Sequence, residues 1–220
     1  MKIAGRNALI TGGAHRVGRA LTLALAAAGA DVFIHYNSSS GPAAETAAEV
    51  HELGRRAAIG AANLSDPTSA APLLDAATAA LGPISILVNS ASGFPTDALA
   101  DVTLDSLHAA HDLTLATPVL LTQAFAAALP AAETGAVLNV TDVRTATPYR
   151  THFSYIIAKG GLDTFTKAAA VALAPQIRVN AVALGVILPP PGEDAAFAQR
   201  LADDLPMRRP GGTDPVAEAA

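Results

Sequence analysis

Cysteine is absent from this 220-residue sequence, which excludes disulfides and thiolate chemistry. Aromatic residues make up only 4% of the chain, so packing must rest on aliphatic side chains and close helix approach. Charge is scarce as well. Charged residues make up 15% and the net charge is −5, with no basic cluster to hold nucleic acid. No apolar run reaches membrane-spanning length, and no charged-then-apolar leader precedes the first strand-like run. A cytoplasmic protein without membrane association is expected. What is plentiful is apolar surface. With 51% hydrophobic residues, residues 1–220 are expected to form one domain of buried parallel strands flanked by helices.

Strand-like runs at 7–11, 31–36, 56–62, 84–90, 135–141 and 177–184 alternate with helix-like runs near 16–29, 42–54, 67–81, 104–129 and 154–174. Pro42, Pro67 and Pro83 sit at junctions, where a missing N–H costs little. This alternation requires right-handed crossovers and predicts an α/β, Rossmann-type doubly wound parallel sheet. Pro189-Pro190-Pro191-Gly192 marks a loop after the sixth strand, followed by a short helix from about Glu193 to Asp204.

Two stretches carry chemistry. In the first, Asn7–Thr11 runs into Gly12-Gly13-Ala14-His15-Arg16-Val17-Gly18 and then an alanine- and leucine-rich helix. Strand, glycine turn and helix N-terminus together offer unpaired N–H groups and a positive dipole end to a pyrophosphate. In the second, Tyr155 and Lys159 stand four residues apart, on one face of a helix, with Asp142 thirteen residues upstream. A phenol with an ordinary pKa of about 10 is a poor acid at neutral pH. A neighbouring ammonium stabilises the phenolate and lets the hydroxyl lose and regain a proton. His108 and His111 lie three apart on a predicted helix with no third ligand nearby, so no metal site is expected.

With both stretches present in this order, the chain resembles the short-chain dehydrogenase/reductase family from about Lys2 to Asp214. The resemblance implies a dinucleotide held by Gly12, Arg16, Val17, Asn63, Leu64, Asn89, Ala91, Lys159 and Gly185. It also implies a homotetramer built through the long middle helix and the Tyr-Lys helix. The family usually adds a helix and a seventh strand beyond this region, so the chain is expected to be a shortened form and Ile177–Leu184 an exposed apolar edge. The second strand ends His35-Tyr36 and is followed by Asn37, Ser38, Ser39 and Ser40, without an acid to repel a 2′-phosphate. NADPH is therefore expected rather than NADH, although a polar loop would have the same composition. Thr114 stands where the family usually has Asn in the middle helix, and Leu184 where it usually has Pro.

Three departures narrow the resemblance. Asp142 replaces the family's Ser, Arg16 replaces the central glycine of the first turn, and Phe94 follows Asn89 by five residues. Together they resemble the pteridine reductase branch, with its dihydromonapterin and dihydrofolate reductase relatives. The resemblance implies NADPH-dependent reduction of a C=N bond in a pterin or folate-like substrate. Asp142 and Tyr155 would be the proton-donating pair, Lys159 would hold Tyr155 and the ribose, and Phe94 and Arg16 would contact the substrate. Plainer roles stand beside these: Asp142 as a turn cap, Phe94 as packing, Arg16 as a solvated side chain and His152 as either pocket lining or helix start. Carbonyl reduction of a 3-oxoacyl thioester or small ketone is the alternative reaction, and a non-catalytic NADP-binding sensor the alternative class.

Overall fold

The computed structural model describes residues 2–148, 150–189 and 192–219. Six parallel strands are β1 (Asn7–Thr11), β2 (Asp31–Tyr36), β3 (Ala57–Ala61), β4 (Ile86–Asn89), β5 (Gly135–Asp142) and β6 (Ile177–Leu184). Their order across the sheet is β3-β2-β1-β4-β5-β6. The chain therefore reverses direction across the sheet between β1 and β4, where the loops leave toward opposite faces and open a crevice. The described α-helices are α1 (Arg16–Ala27), α2 (Ser40–Glu52), α3 (Ala70–Leu81), α4 (Leu104–His111), α5 (Thr117–Ala128), α6 (Phe153–Ala172), α7 (Ala195–Ala202) and α8 (Asp214–Ala219).

Strand alternation builds two cores. Leu9, Phe33, Leu87 and Val137 face one side, with Leu73, Phe125 and Ala169 of α3, α5 and α6. Ile10, Val32, Ile34 and Val88 face the other side, with Leu21, Val50 and Val216 of α1, α2 and α8. Neighbouring side chains on a strand point to opposite faces, so a continuously apolar strand supplies both layers.

The expected strands and helices are present with small shifts at their ends, and two expectations need correction. The middle helix is not continuous: a π-helical turn over Asp112–Ala116 separates α4 from α5. Pro118 has no N–H for the Thr114 carbonyl, which an α-helix would require, so the backbone widens there. The β6 edge is less apolar than expected. Ile177 and Val179 are buried while Arg178, Asn180, Ala181 and Ala183 are exposed, because alternation turns the larger apolar residues inward. Pro190 and Pro191 of the expected loop lie outside the described residues. No described helix is long and apolar enough to cross a membrane.

Candidate active site

The loops at the C-terminal ends of β1 to β4 enclose a cavity of about 220 Å³. Gly12 and Ala91 line it at the crevice, His35, Tyr36 and Asn37 at the end of β2, and Asn63 and Leu64 beyond β3. Seven of the expected cofactor residues are thus brought together. Ser39, from the polar run expected after β2, lines it too, and the lining is completed by Ala14, His15, Ser65, Ser92 and Leu113, which the sequence did not single out. Their signal was position alone: each except Leu113 lies within a few residues of a strand end. No carboxylate lines the cavity among the described residues.

Local geometry explains the shape. Gly12 has φ +64°, and a Cβ there would press on the Ala91 backbone. A Cβ at Gly18 would collide with the Gly12 carbonyl, so only glycine lets α1 begin this close to the turn. Thr11 Oγ accepts the N–H groups of Ser90 and Ala91 at 2.9 and 3.0 Å, pinning β4's exit to β1's. His35 is buried and bridges two loops. Its Nδ1 accepts the Gly12 N–H at 3.0 Å, so Nε2 carries the proton and donates to the Ala62 carbonyl at 3.0 Å. Burial pushes its pKa down, against the opposing Ala62 bond, and holds the ring neutral.

Other expected cofactor residues fall elsewhere. Val17, in the first turn of α1, packs half-buried against the core. Ser38 is exposed, and its neighbour Ser39 takes the place in the lining. Asn89 is buried, donating to Asn139 at 2.8 Å, while its own carbonyl oxygen has no partner. Gly185 directly follows Leu184, which pairs in register with Asp142. Arg16 adopts φ +50°, which costs a non-glycine residue roughly 1–2 kcal/mol. Its guanidinium donates to the Pro189 carbonyl at 2.8 Å, tying the first turn to the segment after β6.

The reactive groups meet on β5 and α6. Tyr155 and Lys159 belong to the buried stripe of α6 that continues through Leu162, Thr166 and Ala169, which turns both toward the sheet. Tyr155 donates its hydroxyl to Asp142 Oδ2 at 2.9 Å. The other carboxylate oxygen accepts the Arg144 N–H at 2.8 Å, so Asp142 is both turn cap and phenol partner. Lys159 is 3% exposed, with Nζ 5.7 Å from the Tyr155 ring centre and donating to the Val140 carbonyl. Burial pushes its pKa down to about 8, against the attraction of Asp142 and Asp163. Phe94 stands over this group with its ring edge-on to Tyr155 at 4.9 Å and stacked on His152 at 3.8 Å. Thr114 lies buried within the π turn. A phenol bonded to a carboxylate, beside a buried amine and below a half-exposed ring, can deliver a proton to a planar substrate.

Comparison with known proteins agrees with this geometry. Residues 6–199 match the family described as short chain dehydrogenase. An uncharacterized oxidoreductase of Mycobacterium tuberculosis is 36% identical, over 97% of this chain and 82% of its own. A 3-oxoacyl-[acyl-carrier-protein] reductase of Synechocystis is 31% identical, over 96% and 85%. The solved structure of FolM alternative dihydrofolate reductase 1 from Brucella canis, complexed with NADP, superposes with a TM-score of 0.92 at 33% identity, covering 100% of this chain and 87% of that one. The chain belongs to the short-chain dehydrogenase family.

Proposed function

We propose that the protein is an NADPH-dependent reductase acting on a C=N bond of a pterin or folate-like substrate. The observation that carries this reading is the 2.9 Å bond from Tyr155 to Asp142, with Phe94 edge-on to the same phenol. A carboxylate bonded to the phenol provides a second proton-holding group beside the acid. A ring-lined site suits a flat heterocycle, for which stacking adds about 0.5–1.5 kcal/mol beyond area burial. The FolM likeness supports the same substrate class.

The cavity's lining suits the phosphate-bearing part of the dinucleotide. Its glycine-lined crevice admits a backbone approach, and Asn37, Ser39 and Ser65 offer neutral donors without a carboxylate to repel a 2′-phosphate. His35 is held neutral, and exposed His15 offers a ring N–H to a phosphate oxygen. Bound there, NADPH supplies the hydride. Tyr155 then releases its proton to the substrate nitrogen, Lys159 stabilises the phenolate, and Asp142 keeps the hydroxyl oriented. Partly or fully exposed Leu120, Ile157 and Val171 on α5 and α6 support a tetramer through those helices. The net charge and the absence of a basic cluster support a small-molecule rather than a nucleic-acid partner.

Carbonyl reduction remains the second reading, favoured by the Synechocystis relative and by the capping role of Asp142. The test is NADPH oxidation with a dihydropterin panel beside an acetoacetyl thioester. Dihydropterin turnover that collapses in Asp142→Ser is expected. Thioester turnover that survives Asp142→Ser would establish carbonyl reduction instead. NADPH binding without turnover of either would identify a sensor. In an enzyme, Tyr155→Phe lowers turnover about 10²–10⁴-fold while dinucleotide binding persists.

A further inference from the structure

Residues 92–97 do more than present Phe94. Helix α6 starts at His152 with no side-chain cap of its own. Its cap comes from Asp97, 57 residues upstream. The Asp97 carboxylate accepts the Ser154 N–H at 3.2 Å, and its carbonyl accepts the Phe153 N–H at 3.3 Å. Asp97 is 9% exposed and sits at the positive end of a 20-residue helix. His152 adopts a left-handed backbone, φ 61° and ψ 38°, which a non-glycine residue takes only when its surroundings enforce it. Two contacts do so, both from the same loop. The Nδ1–H donates to the Pro95 carbonyl at 2.7 Å, and the imidazole lies within 19° of the Phe94 ring plane.

We propose that Asp97 and His152 are positioning residues that clamp the Phe94 loop to the first turn of α6, so that the substrate's ring seat and the Tyr155 hydroxyl move as one body. The proposal rests on the roles given above to Phe94 and Tyr155. It makes residues 92–97 a fixed wall. Lifting them would bare the N–H groups of Phe153 and Ser154, the two residues before Tyr155.

Hydrogen–deuterium exchange on the full chain with saturating NADPH tests the clamp without needing the substrate. Loss of a helix cap corresponds to a factor of about five in local opening. Asp97→Ala is expected to speed exchange of residues 93–97 and 153–155 together by about that factor, while β1 and β4 stay protected. Asp97→Asn keeps an acceptor for Ser154 and is expected to restore most protection. His152→Gly keeps the left-handed start but removes the ring stack and the Pro95 bond. It is expected to loosen 93–96 and raise the substrate KM about fivefold, with kcat within about twofold. Loosening of one segment without the other in Asp97→Ala, or wild-type exchange of 93–96 in His152→Gly, overturns the clamp. If His152→Gly loosens the loop and KM does not move, the clamp is upheld and the substrate reading alone fails.

Discussion

Replacing Lys159 by methionine is expected to stabilise the cofactor-free protein at neutral pH while abolishing turnover. The ammonium is 3% exposed, and burial lowers its pKa from the ordinary 10.5 to about 8. Each tenfold change in proton affinity is worth about 1.4 kcal/mol, so holding the charge in the folded state costs roughly 3 kcal/mol. Because the folded pKa lies below the unfolded one, the unfolded chain binds more protons between about pH 8 and 10.5. Wild-type stability contributed by this group therefore rises with pH through that window, and the full cost applies below it. Methionine of similar length carries no charge but gives up the bond to the Val140 carbonyl, worth about 1 kcal/mol net. The variant should gain roughly 2 kcal/mol at pH 7, or about 4–8 °C in Tm for a chain of this length. Urea unfolding of both proteins from pH 7 to 10.5 is the assay. Their stability difference, read in a Tyr155→Phe background because Lys159 bears on that phenol, should fall by roughly 3 kcal/mol across the window, the distant titrations cancelling. A difference that stays flat refutes the reasoning.

Arg16→Gly removes a left-handed arginine and should stabilise the chain by about 1 kcal/mol. It also frees the segment after β6, so thermal melting should rise while limited proteolysis near Pro189 quickens. His15→Ala should cut the preference for NADPH over NADH about fivefold, the equivalent of one hydrogen bond. Fluorescence titration with both dinucleotides checks this, and an equal loss for NADH would refute it.

Much of the site was legible because its signals are local. A strand running into Gly12 and Gly18 and a Tyr155-to-Lys159 spacing of one helical turn each fix their own geometry. Asp142 was legible as a candidate but not as a side chain with two duties, since its second partner lies on the adjacent turn. His35 was legible as a lining residue of the cofactor cavity; that its two ring nitrogens also tie two loops together is something no local pattern reveals. Asp97 had no signal at all, because its partners stand 57 residues away on another element. The break after α4 did leave a mark, in the form of Pro118 inside an otherwise helical run.

That break decides more than the helix's straightness. An α-helix advances about 100° per residue, so four positions spaced by four would drift about 120° around the cylinder from first to last. Ala110, Thr114, Pro118 and Thr122 have this spacing, yet all four are buried. Absorbing one extra residue in the wide turn cuts the drift to about 20° and keeps them in a single file. Losing one residue between Asp112 and Ala116 would therefore leave a plain α-helix with both halves still in file, whereas gaining one would rotate one half of the rod against the other by about 100°, exchanging its dry side for a wet one.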